Sequence, residues 1–364
     1  MNRAAGRYVR KDEIFPRRNR VSPQATGTLT ARASGNPAWA WVSNLGGVGL
    51  VAVLLWWLGT GPALAGLRRI DTPAVLTALA LGALATVGCA WRWRLVAGGL
   101  GIRLPLGTAV ADCYRAVFLN ATLPGGVLGD VHRAVRHGRE AGDLGRAVRA
   151  VVWERTAGQL VQVMLAAALL LALPSPVRPY LPVAVAVAVV VGLVLAVLVR
   201  ALPRSGPSRR ARAVRAAAAD VRAGLLGRRT GPGVLLASTV VVGCHLATFV
   251  LAARVAGVTA PLTVLVPLTL LALLAMALPA NVAGFGPREG VAAWAFGAAG
   301  LGAAEGVATA LVYGALVLVA ALPGAAVLVL RGRPSALRTR AGDRTVGTQG
   351  GSSPVPAAGL AGSA

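Results

Sequence analysis

The chain has 364 residues, of which 56% are hydrophobic and only 13% charged, and its mean hydropathy is +0.68. A soluble domain carries about 25% charged residues, and several apolar runs here approach the roughly 20 residues that cross a bilayer as a helix, so a large soluble helical protein is excluded. The net charge of +25 does not mark a nucleic-acid binder, because the arginines cluster between the apolar runs, as in cytoplasmic loops beside an anionic leaflet.

Residues 1–38 mix Arg, Pro, Ser and Gly without periodicity and read as a disordered basic arm on the cytoplasmic side. A transmembrane domain is expected over 39–331. Its first span is predicted at about 39–60, with Trp39 and Trp41 at one end and Trp56 and Trp57 at the other, as in an interfacial aromatic belt. A second span runs from about Pro73 to Ala90, and Trp91, Arg92, Trp93 and Arg94 read as its anchor at the cytoplasmic interface.

Residues 91–149 hold nine arginines, yet 106–124 is apolar enough to enter the membrane. Asp112 and Arg115, three apart, share a helix face and can pair. The run ends in Leu123-Pro-Gly-Gly-Val-Leu-Gly-Asp130, with breakers at Pro124, Gly125, Gly126 and Gly129. Two readings fit: a re-entrant element that enters, breaks and returns, or an amphipathic helix on the surface.

The next span, about 147–173, carries Glu154 and Arg155 near its start. Adjacent residues point about 100° apart on a helix, so each needs a partner elsewhere. Either they mark the interface, with Arg155 snorkelling, or they serve a site. A turn at Pro174–Pro182 leads to a span at 183–199. Residues 200–232 form the main cytoplasmic loop, and 200–229 alone hold nine arginines and one acid. Spans at about 233–256 and 306–330 follow, with apolar runs at 261–279 and 290–304 between them. The tail, 332–364, reads as disordered and cytoplasmic.

Between 150 and 330 only Glu154, Asp220, Glu289 and Glu305 are acidic. One of them stands beside an arginine inside a helix-breaking run, Leu278-Pro-Ala-Asn-Val-Ala-Gly-Phe-Gly-Pro-Arg-Glu-Gly290, with breakers at Pro279, Gly284 and Gly286. At membrane depth such a segment is tolerated only against protein or beside a wet cavity. The pattern Leu-Pro-x-x-Val-x-Gly occurs here and again at 123, 155 residues earlier. Three crossings separate the copies, so they face the membrane from opposite sides, as in the inverted repeats of transport proteins. Six full spans result if 261–279 and 290–304 are re-entrant halves, and eight if both cross. The fold class is therefore an all-α polytopic membrane protein with six to eight transmembrane helices and two broken or re-entrant elements in an inverted repeat.

The run Asn120-Ala-Thr-Leu-Pro-Gly-Gly-Val-Leu-Gly-Asp-Val-His-Arg133, then Glu154 and Arg155, then 278–290, then Leu322-Pro-Gly324 resembles, in order and spacing, the transmembrane region of lysylphosphatidylglycerol synthases, the flippase-like domain family. The resemblance covers about 40–330 and departs from the family pattern at Leu128 and Pro287. It implies a multi-pass plasma-membrane protein of bacteria or archaea that moves or presents a lipid, an aminoacylated phospholipid or a lipid-linked sugar. The aminoacyl transferase domain of two-part relatives is expected to be absent, as the chain ends about 30 residues after the last span.

The expected headgroup site is one cavity lined by Asp130, Arg133, Glu154, Arg155, Arg288 and Glu289, with Asn281 contributing. Arginine grips phosphate through two donors, carboxylates meet amines or sugar hydroxyls, and free N–H groups at helix breaks favour anions. The bland alternative is that these groups pair only to lock the helices. No catalysis, cofactor or metal is expected: the three cysteines and three histidines form no ligand spacing, and no nucleophile–base set is present. The expected partners are a membrane lipid and a lipid-modifying or glycosyl transferase, with no nucleic acid. The competing readings are an accessory subunit of such a transferase and an ion-coupled small-solute transporter.

Overall fold

Capping residues and runs of Ala, Leu and Val set the helices. The computed structural model describes residues 52–57, 59–123, 126–180, 209–225, 227–228, 230–276 and 286–332, with isolated positions between 182 and 193. No strand occurs among the described residues. In chain order the helices are α1 Gly61–Arg68, α2 Thr72–Gly99, α3 Leu106–Thr122, α4 Leu128–Ala141, α5 Leu144–Ala172, α6 Arg209–Gly224, α7 Thr230–Ala256, α8 Leu262–Ala275, α9 Pro287–Ala298 and α10 Ala303–Gly332.

The carboxylate of Asp71 accepts from the Ala74 N–H at 2.9 Å to start α2, and Asp143 does the same for α5 through Arg146 N–H at 2.9 Å. Gly142, at φ 71°, ends α4 in the left-handed region.

Among the described residues, four helices are long and apolar enough to span a bilayer: α2, α5, α7 and α10. At 1.5 Å per residue each exceeds the roughly 30 Å of hydrocarbon. Polarity is inverted relative to a soluble protein. Leu84, Leu160, Met164 and Leu236 are exposed, whereas Arg92, Arg133, Glu154, Arg288 and Glu289 are buried. An apolar exterior around charged internal groups suits a lipid environment.

The segment 106–141 forms a helical hairpin. Asn120 meets Gly129, Cys113 meets Arg133, and Asp112 meets Arg136, so α4 runs back along α3. Asp112 and Arg115 pair at 3.0 Å, as their spacing predicts. Both the re-entrant and the surface-lying readings are compatible with this hairpin. Close approach needs small residues: a Cβ on Gly129 would lie 2.2 Å from the Ala116 carbonyl oxygen.

A second pair of short helices, α8 and α9, flanks 277–285. With 14 and 12 residues they reach about 21 and 18 Å, less than the roughly 30 Å of hydrocarbon. The predicted spans near 39–60 and 183–199 lie largely outside the described residues, as do 1–38, 333–364, Pro124, Gly125, Pro279, Asn281 and Gly284. Leu265, Phe249, Phe296, Tyr313 and Leu316 fill one core, and Trp93, Val96, Cys113, Ala147 and Val151 fill another.

The end of the second span departs from expectation. α2 continues past Ala90 to Gly99, and Arg92 and Trp93 are 4% and 0% exposed. They are internal groups, not an interfacial anchor. The physical reason is that each has a partner inside: Arg92 has Glu154, and the Trp93 ring has the Arg133 guanidinium at 4.8 Å.

Candidate functional site

Glu154, in the third turn of α5, has no exposed surface. Its Oε1 accepts from Arg92 Nε at 2.8 Å and Nη2 at 2.5 Å, and its Oε2 accepts from Arg133 Nη2 at 2.5 Å. Arg133 Nε also donates to Asp130 Oδ1 at 2.9 Å, and Arg155 Nη2 donates to the same oxygen at 2.7 Å. Asn120 closes the set: its Nδ2 donates to Asp130 Oδ2 at 3.3 Å while its Oδ1 accepts from Gly129 N–H at 2.8 Å. Five charged side chains from α2, α4 and α5 thus form one chain of ion pairs, Arg92–Glu154–Arg133–Asp130–Arg155. The adjacent pair Glu154 and Arg155 bond separate partners, as helix geometry requires.

Two local features allow this. The Arg133 guanidinium lies over the Trp93 ring, which favours a cation at low hydration cost. Gly158, one turn beyond Glu154, leaves room for Arg92: a Cβ there would sit 2.8–2.9 Å from the guanidinium. Arg92 Nη1 reaches Ser238 Oγ on α7 at 3.1 Å, tying a third spanning helix to the chain of charges.

Across the site, Glu289 caps α9. Its Oε2 accepts from the Gly286 N–H at 2.6 Å, and Gly286 holds φ 121°, a conformation that side-chain-bearing residues rarely adopt. Its Oε1 accepts from Arg288 Nε at 2.9 Å, and Arg288 Nη2 bonds the same oxygen. The Arg288 guanidinium lies 5.1 Å from the Tyr313 ring centroid, and the Tyr313 hydroxyl bonds His245 Nδ1 at 2.9 Å.

Between these two groups lies a cavity of about 320 Å³. Arg92, Arg155 and Arg288 line it, together with Gln159, Gln162 and Tyr313, and apolar side chains of Val117, Leu273 and Leu318 complete the wall. A smaller recess of about 110 Å³ shares Arg92, Arg155 and His245 with it. Of the six charged residues that sequence brings to one cavity, Arg155 and Arg288 are at its wall. Asp130, Arg133, Glu154 and Glu289 are the ion partners behind it. Gly126 borders it, and Gly129 and Gly286 shape the adjoining backbone. Among the described residues no cluster of His, Cys, Asp and Glu suits a metal ion.

Sequence reasoning passed over Arg92, Gln159, Gln162, His245 and Tyr313. For the glutamines a signal existed. Positions 155, 159 and 162 fall on one helical face, a polar stripe on an otherwise apolar span. Arg92 carried none, since its neighbours Trp91 and Arg94 are typical of an interface.

A family model described as "Lysylphosphatidylglycerol synthase TM region" matches residues 44–324. No curated protein and no solved structure matches the chain.

Proposed function

Because the chain belongs to the lysylphosphatidylglycerol synthase transmembrane-region family, we propose that it carries or presents a membrane lipid between leaflets, with the lipid headgroup seated in the arginine-lined cavity. The observation that carries this reading is the meeting of Arg92, Arg155 and Arg288 at the wall of one 320 Å³ cavity among spanning helices. A bare charge at the bilayer centre costs at least about 2.5–3.5 kcal/mol. Fixed guanidiniums lower that barrier by replacing the hydration shell of a headgroup, and partners behind them hold the forks in place.

The two helix breaks fit the same purpose. Asn120, Ala121 and Gly126 flank the first, Met276 and Arg288 flank the second, and all five border the cavity. We infer that the two Leu-Pro-x-x-Val-x-Gly segments are halves of an inverted repeat whose breaks converge on the headgroup, as broken helices do in secondary transporters. The reading assigns the chain no chemical step. A separate lipid-modifying or glycosyl transferase makes or consumes the lipid. The arginine-rich segments and both termini lie on the cytoplasmic side of the plasma membrane.

The test is lipid translocation by purified protein in proteoliposomes, read by surface quenching of a fluorescent lipid. Arg155→Gln and Arg288→Gln should each slow translocation about tenfold or more, with the melting profile retained. Unchanged rates in both folded variants sink the proposal. Copurification of a transferase with no transport by the chain alone transfers the reading to an accessory subunit.

A further inference from the structure

We propose that the headgroup this cavity takes is net negative, a phosphate ester carrying hydroxyls, and that it excludes aminoacylated lipids bearing an ammonium. The proposal rests on the reading of the cavity as a lipid-headgroup site and goes further, to the charge class of the lipid.

Among the described residues, no Asp or Glu lines the cavity. The three acids nearest to it have both oxygens engaged. Glu154 meets Arg92 with one and Arg133 with the other. Asp130 meets Arg133 and Arg155 with one and Asn120 with the other. Glu289 meets Arg288 with one and the Gly286 N–H with the other. An incoming ammonium has three donors and needs acceptors. To obtain a carboxylate here it must displace a guanidinium, which leaves that arginine uncompensated at membrane depth. Breaking one side of a buried ion pair is strongly unfavourable.

The cations are placed the other way round. Arg155 spends only Nη2 on Asp130, its Nε has no hydrogen-bond partner, and its side chain is 41% exposed. Arg92 commits Nη1 only to a neutral hydroxyl, that of Ser238. A phosphate therefore finds guanidinium donors already oriented, with their countercharges on the far side. The chain Arg92–Glu154–Arg133–Asp130–Arg155 has three cations and two anions, so one positive charge is left for the ligand.

The neutral lining suits hydroxyls. Gln162 donates from Nε2 to the Leu273 carbonyl at 3.0 Å, which leaves its side-chain oxygen as an acceptor, and Gln159 stands one turn away. A 320 Å³ volume lies at the lower end of the roughly 300–1,000 Å³ of small-ligand pockets. It accommodates a polyol phosphate and leaves acyl chains to the bilayer.

The experiment is calorimetric binding to the full chain in detergent, with four probes: dihexanoyl phosphatidylglycerol, its lysyl ester, dihexanoyl phosphatidylcholine and glycerol 1-phosphate. The anionic lipid should bind about tenfold or more tighter than the lysyl ester or the choline lipid. Arg155→Gln should remove that advantage, and Arg155→Lys, which keeps the charge but loses the fork, should retain part of it. Equal or tighter binding of the lysyl ester overturns the proposal, as does an anionic preference that survives both Arg155→Gln and Arg288→Gln. Absence of binding by all four probes overturns it together with the lipid reading. If glycerol 1-phosphate matches the anionic lipid, the charge class stands and the lipid reading falls. If the lysyl ester is preferred and translocated, the lipid reading stands and the charge class falls.

Discussion

Arg92 and Glu154, 62 residues apart in sequence, share a two-donor contact at 2.5 and 2.8 Å with neither side chain more than 5% exposed. This contact joins α2 to α5, and Arg133 joins both to the α3–α4 hairpin through the other Glu154 oxygen. Cohesion between helices in lipid comes from packing and from polar contacts of this kind, because apolar side chains gain little by leaving lipid for one another.

Glu154→Gln should therefore cost far more than a surface change. It leaves two buried guanidiniums without their shared carboxylate, a loss on the order of 3–5 kcal/mol. Arg92→Gln in the same chain should recover part of that loss, giving a coupling of about 1 kcal/mol or more between the two substitutions. Thermal unfolding of the single and double variants in detergent measures it, and strict additivity would contradict a single charged unit.

Gly158→Ala separates position from charge. The added methyl would meet the Arg92 guanidinium at 2.8–2.9 Å and must push it aside, yet no charge changes and alanine favours the helix by up to about 1 kcal/mol. The melting temperature should fall less than in Glu154→Gln, because both charges of the pair remain, while binding of an anionic short-chain lipid weakens several-fold. A matched loss of both would place Arg92 in a structural role alone.

Two glycines in spanning helices should answer oppositely to substitution. A Cβ on Gly324 would lie 2.2 Å from the Tyr114 carbonyl oxygen, where α10 crosses α3, whereas nothing lies within 4 Å of the corresponding point on Gly98. Gly324→Val should abolish recovery of monodisperse protein. Gly98→Ala should be neutral or stabilising by roughly 0.5–1 kcal/mol. Size-exclusion chromatography of the two variants side by side decides the matter.

His137, on α4, meets the Trp93 ring edge-on at 5.4 Å. Burial holds its imidazole below the ordinary 6.5, with Glu140 and Asp112 opposing that shift. The unfolded chain then takes up this proton more readily than the folded one, so stability from His137 is full above about pH 6.5 and lost as pH falls through the lower folded value. Melting temperatures between pH 7 and 5 should fall, and His137→Phe should flatten that part of the profile.

The charged residues were the legible part of this site. In a chain so poor in acids, Glu154 and Glu289 stand out because burial of a carboxylate in a membrane needs a reason, and Asp130 with Arg133 shows the spacing of a helical ion pair. Which of them face the ligand was not legible. Helix periodicity orders side chains around one axis, but the rotation of α5 against α2 and α4 decides whether Glu154 or Arg155 turns to the cavity. Packing sets that rotation, through Gly158 and Gly129, and small residues at such contacts are indistinguishable in sequence from the many other glycines of the chain. Arg92 illustrates the same limit, since an arginine between two tryptophans has one meaning at an interface and another inside a bundle.

If an anionic lipid is the cargo, as proposed, the placement of Arg92, Arg155 and Arg288 on the cavity wall, with the acids behind them, ties it to the electrical state of the membrane. On the proposed reading, an anionic headgroup held by these guanidiniums would cross as a negative particle. A potential of 100 mV, negative inside, then lowers the energy of its outward passage by about 2.3 kcal/mol per charge carried across the whole field. That bias is close to fifty-fold in an equilibrium distribution, without any nucleotide being spent. An energised cell would thus drain such a lipid from the inner leaflet, and collapse of its potential would let the two leaflets equalise.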